Sequence, residues 1–244
     1  MTQNSTQKKE NGFNNLLINI VIPALILMKG KKLLLKFTGI DLDATTILIV
    51  ALAFPFFYGL YDLIIKKEKN FISVLGFVSI LLSGIVGVLE LSTELIAIKE
   101  AAIPFIIGCV ILISNYTNYP IAPKFLYHDE IFDKENINNH LNEQQEIELH
   151  DMIKKASFYL FLSFIFSAIM NYVLAKYFVV SPTGTEAFND ELGKMTLYSY
   201  PIIVIPSMLI MFLIMRYIYL NIKKLTGLDS EGILLFKKEL NKEN

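Results

Sequence analysis

Six runs of about twenty mostly apolar residues divide the chain, at roughly 13–35, 44–65, 71–90, 96–114, 156–180 and 196–220. About 20 residues rising 1.5 Å each are what a helix needs to cross the hydrocarbon of a bilayer. Lipid offers the backbone no hydrogen-bond partner, so a spanning segment is either helical or part of a closed barrel. The period-two alternation of a barrel strand is missing from these runs. The pattern therefore predicts an all-α fold, a polytopic transmembrane helical bundle of about six spans. It divides into an N-terminal tail over 1–12, a membrane domain over 13–220 and a C-terminal tail over 221–244.

The first run is the weakest, because "LLINIVIPALILM" stops at Lys29, Lys31 and Lys32 before "LLLKF" resumes. It reads as short, bent at Pro23 or partly interfacial. Lys8 and Lys9 before an apolar core resemble a signal sequence, but no small-x-small cleavage site follows, so the segment is expected to be retained. Residues 115–155 form the one sizeable polar insertion. Within "NINNHLNEQQEIELHDMIKK" the spacing of Ile137, Leu141, Leu149, Met152 and Ile153 predicts a short amphipathic helix lying on the cytoplasmic leaflet and leading into the fifth span. The loop "SPTGTEAFNDELGKMT", 181–196, reads as a turn-rich connection.

Charge orients the bundle. With six spans both termini share a side, and that side carries fifteen of the 22 lysines and arginines. The positive-inside rule then places both termini in the cytoplasm. Lys29, Lys31, Lys32 and Lys36 lie on the other side and oppose this topology. Tyr58, Tyr61, Tyr116, Tyr119, Tyr127, Tyr159, Tyr217 and Tyr219 fall near expected cytoplasmic ends of spans, and Tyr172, Tyr177, Tyr198 and Tyr200 near periplasmic ends. Such positions suit interfacial aromatic rings.

Composition agrees with a membrane solvent: 54% of the residues are hydrophobic, only 18% are charged, and mean hydropathy is +0.49. A net charge of -1 with lysines gathered near span ends gives no basic face for nucleic acid. Cys109 is the single cysteine, which excludes an intramolecular disulfide. His128, His140 and His150 all fall in the polar insertion without an i, i+4 pair, so no metal and no cofactor is expected. No serine–histidine–acid set, nucleotide loop or paired catalytic carboxylates can be assembled on one side of the membrane, so the chain is not expected to be an enzyme.

Two polar groups stand out against the apolar runs. In "FYGLYDLIIKKEKN" Asp62 lies about one turn from the end of the second span, four residues from Lys66 and at a depth similar to Arg216. The three read as an interfacial ion pair fixing helix register, or as a gate. In "ELIAIKEAAIPFIIG" Lys99 and Glu100 occupy the first turn of the fourth span. The fifth span carries Ser163, Ser167 and Asn171 at i, i+4 and i+8, and Asn171 falls in its outer half, where it is expected to face Lys99, Glu100 and Tyr198. This polar cluster is either hydrogen-bonding glue between helices or a small outward-facing cavity. Ser79, Ser83 and Gly87 read as helix packing, and "AFPFFYG" and "AIPFIIG", at 53–59 and 102–108, share a faint similarity.

"NLLINIVIPALIL", "AFPFFYGLYDLI", "FISVLGFVSILLSGIVGVLEL", "AIKEAAIPFIIG", "SPTGTEAFNDELGKMT" and "SYPIIVIPSM" together resemble an uncharacterised family of bacterial six-span inner-membrane proteins. More distantly, Tyr61 to Gly108, with an aspartate, lysines, "FIS", a glycine-bearing span and Ile98-Lys99 before Pro104, is similar to the intracellular septation protein A family. The resemblance implies a multi-pass protein of the bacterial inner membrane with a non-enzymatic role in cell-envelope biogenesis or division. Its partners would be membrane lipids, other inner-membrane envelope proteins and copies of itself in a homo-oligomer. The rival expectation is a small-solute or lipid transporter.

Overall fold

The computed structural model describes residues 17–64, 81–117 and 120–235. Its helices are α1 (Ile22–Thr38), α2 (Ala44–Ile64), α3 (described over 81–88), α4 (Glu94–Ser114), α5 (Ala122–Leu126), α6 (Lys134–Asn139), α7 (Glu143–Phe178), α8 (Glu186–Ser199), α9 (Ile205–Thr226) and α10 (Ser230–Ile233). Apart from one isolated bridge, Phe132 to Leu234, the described elements are helical. Among the described residues four stretches are long and apolar enough to cross a membrane: Ala44–Tyr61, Glu94–Ser114, Glu143–Phe178 and Glu186–Thr226. Along α9 the side chains of Ile205, Met208, Leu209, Phe212 and Leu213 are all more than half exposed. Water would not tolerate so continuous an apolar face, whereas hydrocarbon does.

Four of the six expected spans are thus long and apolar enough to cross a membrane among the described residues. α1 is not among them: it has 17 residues and runs as one helix straight through Lys29, Lys31 and Lys32. The start of the first expected span (13–16) and the first half of the third (71–80) lie outside the described residues, as do Lys66 and Ser79.

The chain divides into two compact units, one formed by 1–103 and 170–202, the other by 104–169 and 203–244. In the first, α1 packs along both α2 and α8. The segment expected to be a turn-rich loop is in fact the helix α8, started by the Thr185 hydroxyl, which accepts from the Phe188 N–H at 3.1 Å. Phe188, Leu192 and Met195 recur at i, i+4 and i+7 and are buried. That period outweighs the proline, glycine and acidic residues that suggested a loop. Gly193 sits where α8 crosses α1, and a Cβ there would stand 2.8 Å from the Ala24 carbonyl oxygen and 2.7 Å from Met28 Cγ. Because the backbone carbonyl cannot rotate aside, Gly193→Ala is expected to destabilise the fold by about 1–3 kcal/mol. A melting curve indistinguishable from wild type would show that α8 and α1 do not approach so closely.

The second unit has a core of its own. Ala122, Leu126, Phe132, Ile137, Leu149, Met152, Ile153, Ala156, Ile218, Ile222 and Ile233 form one buried cluster. Ile137, Leu149, Met152 and Ile153, expected to face a leaflet, are thus covered by protein. The expected single amphipathic helix is also broken at His140, and α7 restarts behind a reciprocal cap: Asn142 Oδ1 accepts from the Gln145 N–H and Gln145 Oε1 from the Asn142 N–H, each at 2.9 Å. From there α7 continues without interruption into the fifth apolar run. The chain beyond α9 closes on this core, with Asp133 N–H donating to Ile233 O at 2.9 Å, Leu235 N–H to Ile131 O at 3.0 Å and the Asn136 amide to Gly232 O at 2.8 Å.

Tyr127, expected as an interfacial ring, is a core residue instead, tilted against Phe132 with its centroid 5.3 Å away and only 7% exposed. Burial, reinforced by Asp129 and Asp133, pushes its phenol up to about 12. The folded pKa lies above the ordinary value of about 10. The stabilising contribution of the neutral phenol is therefore complete below about pH 10 and is lost as pH rises through 12. The difference between alkaline absorbance titrations of wild type and Tyr127→Phe should reveal a phenol ionising near 12. A difference centred near the ordinary tyrosine value of about 10 would place the ring in solvent.

One local device occurs twice. "IVIP" at 20–23 and again at 203–206 is preceded or begun by a π-helical turn, Leu17–Val21 and Tyr200–Val204. A proline has no N–H for the carbonyl four residues back and its ring crowds that carbonyl, so the turn before it widens. The helices that follow end alike, in "KFTGID" (36–41) and "KLTGLD" (224–229). In both, the threonine hydroxyl donates to the carbonyl four residues back, and glycine follows at φ 71°. Glycine is needed there because an L side chain disfavours that conformation.

Candidate functional site

α4 starts behind Ser92, whose Oγ accepts from the Glu94 N–H at 3.3 Å, and Glu94 places negative charge where the helix dipole favours it. Little more than one turn later the apolar pattern buries Ile96 and Ala97 and carries Lys99 inward with them. Lys99 is 8% exposed. Its ammonium donates to Ser83 Oγ at 2.6 Å and pairs with Glu100 Oε1, also at 2.6 Å. Ser83 belongs to α3, so the ammonium ties two helices together through a hydrogen bond strengthened by its charge. Glu100 is the more exposed partner, with 23% of its side chain accessible.

The same unit holds further polar contacts. Lys176, near the end of α7, pairs with Glu94 at 2.9 Å. Glu191 of α8 receives the N–H groups of Val180 and Ser181 at 2.9 and 2.8 Å and the Ser181 hydroxyl at 2.7 Å. Thr183 donates to the Leu91 carbonyl at 2.9 Å. On α8, buried Asn189 donates to Ala44 O at 2.7 Å. Lys31 of α1 bridges Asp41 at 3.2 Å and Glu186 at 2.7 Å.

Of the residues singled out from sequence, Lys99 and Glu100 meet directly. Ser83, which sequence reasoning assigned to packing alone, is the partner that was missed. Its signal was the small-residue stripe with Gly87, which marks a close helix contact where a lysine end group fits beside a hydroxyl. Tyr198 stacks on Phe178, their centroids 5.2 Å apart and planes at 13°. Asn171 and Ser167 are half-buried on α7, the former on the part belonging to the first unit and the latter on the part belonging to the second. The Asp62 side chain and Lys66 lie outside the described residues, and Arg216 is exposed on α9.

A lysine ammonium offers donors only, and here hydroxyl and carboxylate oxygens take them up. His128 accepts from the Glu130 N–H at 3.2 Å, and His140 Nδ1 stands 2.8 Å from the Asn136 carbonyl, so both rings serve local turns. Comparison of the chain with protein-family models, with curated proteins and with solved structures finds no match.

Proposed function

We propose that this chain is a multi-pass protein of the bacterial inner membrane, with six spans and both termini cytoplasmic, which acts without catalysis in cell-envelope biogenesis or division by holding other membrane proteins. The observation that carries the proposal is the closure of Lys99 on Ser83 and Glu100. Intramembrane ionisable groups mark transport pathways when they face a water-filled passage. This one is nine-tenths buried and bound to a neighbouring helix, which suits a packed scaffold. Close approaches support the same reading: a Cβ on Gly108 would meet Phe164 Cβ at 3.0 Å, and the sites of Gly87 and Gly193 are tighter still.

The rival function is a small-solute or lipid transporter, and one variant separates the two. Replacing a buried ion pair by apolar residues of similar volume is often neutral for stability. Lys99→Met with Glu100→Met should therefore still complement the septation or envelope defects of a strain lacking the protein. Loss of complementation at normal protein levels, together with loss of a saturable flux in proteoliposomes, would establish the transporter instead.

A further inference from the structure

α1 and the N-terminal ends of α2 and α8 enclose a cavity of about 240 Å³ in the first unit. Leu27, Met28 and Ile47 line it on one side and Lys29, Lys31 and Lys32 on another, with Asn189, Glu186 and Asp190 between. The two carboxylates are already taken, Glu186 by Lys31 at 2.7 Å and Asp190 by Lys194 at 2.5 Å. Lys29 and Lys32 have no ion-pair or hydrogen-bond partner among the described residues. The cavity thus presents two unmatched ammonium groups above an apolar wall.

Its place fixes the ligand chemistry. The apolar stretch Ala44–Tyr61 begins at the cavity, since Ala44 lines it, so the cavity stands at a membrane boundary. On the outer face of α1, Leu33, Leu35 and Phe37 are 48%, 48% and 76% exposed beside the lysines. An anion with an apolar tail would satisfy both features, and a volume of 240 Å³ has room for a phosphate group and its immediate substituents.

We infer that this cavity binds a phosphate group through Lys29 and Lys32, carried by an anionic glycerophospholipid or by a soluble phosphate. The site also accounts for Lys29 and Lys32, two of the four lysines that oppose the charge-based topology: they serve a ligand on their own side of the membrane. Lysine contacts a phosphate as a point charge, so arginine in its place retains the attraction and glutamine does not.

The test is native mass spectrometry of the purified full chain with phosphatidylglycerol, with phosphatidylcholine and with inorganic phosphate. Wild type should bind phosphatidylglycerol over phosphatidylcholine, and Lys29→Gln with Lys32→Gln should weaken that binding about tenfold or more, as the loss of ~1.4 kcal/mol or more implies. Lys29→Arg with Lys32→Arg should restore it. Both lysines are exposed, so the variants leave the packing untouched, and Lys224→Gln controls for general loss of charge. If inorganic phosphate competes fully, the group comes from solution; if only the lipid binds, it comes from the bilayer. Equal phosphatidylglycerol and phosphate binding by wild type and the glutamine variant would overturn the site.

Discussion

Glu100→Ala should lower the stability of the folded chain by about 3 kcal/mol, because it leaves a buried ammonium with one of its two named oxygen partners removed. Lys99 reaches Glu100 only because both side chains are long, since neighbours one apart on a helix do not face each other. Holding the carboxylate against the ammonium therefore depends on burial, and at 8% exposure of the lysine little water is present to replace it. Lys99→Ala removes the charge along with the need for its partner and should cost less than Glu100→Ala. The double change Lys99→Ala, Glu100→Ala should recover part of the Glu100→Ala loss, a coupling of about 0.5–3 kcal/mol. Ser83→Ala, which deletes a hydrogen bond to a charged group, should cost about 1.5–3 kcal/mol. Additive effects of the two charge deletions in a thermal or denaturant cycle would show that the pair is not coupled.

Phe132→Ala is the second change with a large expected effect, about 3–5 kcal/mol. Phe132 is 1% exposed, stacks near Tyr127 and sits where the backbone of 131–133 pairs with the closing segment at 233–235. Removing the ring opens a cavity beneath both, and the tilted contact with Tyr127 adds about 0.5–1.5 kcal/mol to what area burial alone would give. Protease sensitivity should rise first within the segments Ala122–Leu126 and Lys134–Asn139 and after Thr226. A segment resting on lipid would behave otherwise, with Phe132→Ala weakening membrane contact and leaving proteolysis after Thr226 unchanged.

Membrane character was legible because hydrocarbon imposes length and composition, and the runs at 44–65, 96–114 and 156–180 coincide with described helices. The Lys99–Glu100 pair was legible for the same reason, two charges inside an apolar run being exceptional. Less legible was anything decided by partners distant in sequence. Ile137, Leu149, Met152 and Ile153 show the same stripe whether a leaflet or Ile218, Ile222 and Ile233 covers it. Nothing in a one-sided apolar period names its cover. α8 hid behind Pro182, Gly184 and three acidic residues, although Thr185 as cap and the spacing of Phe188, Leu192 and Met195 spelled a helix. Ser83 as partner of Lys99 depended on how α3 and α4 pair, which local pattern does not encode.

α7 is long and apolar enough to carry the chain across the membrane. At 1.5 Å per residue its 36 residues extend about 54 Å, well beyond the ~30 Å hydrocarbon. Asn139 precedes the helix and Ala187 follows it, and both are exposed. Single cysteines placed at Asn139 and at Ala187 in a Cys109→Ser background should react with a membrane-impermeant maleimide from opposite sides, Ala187→Cys in intact cells and Asn139→Cys only after the membrane is opened. Labelling of both in intact cells, or of neither, would contradict the account.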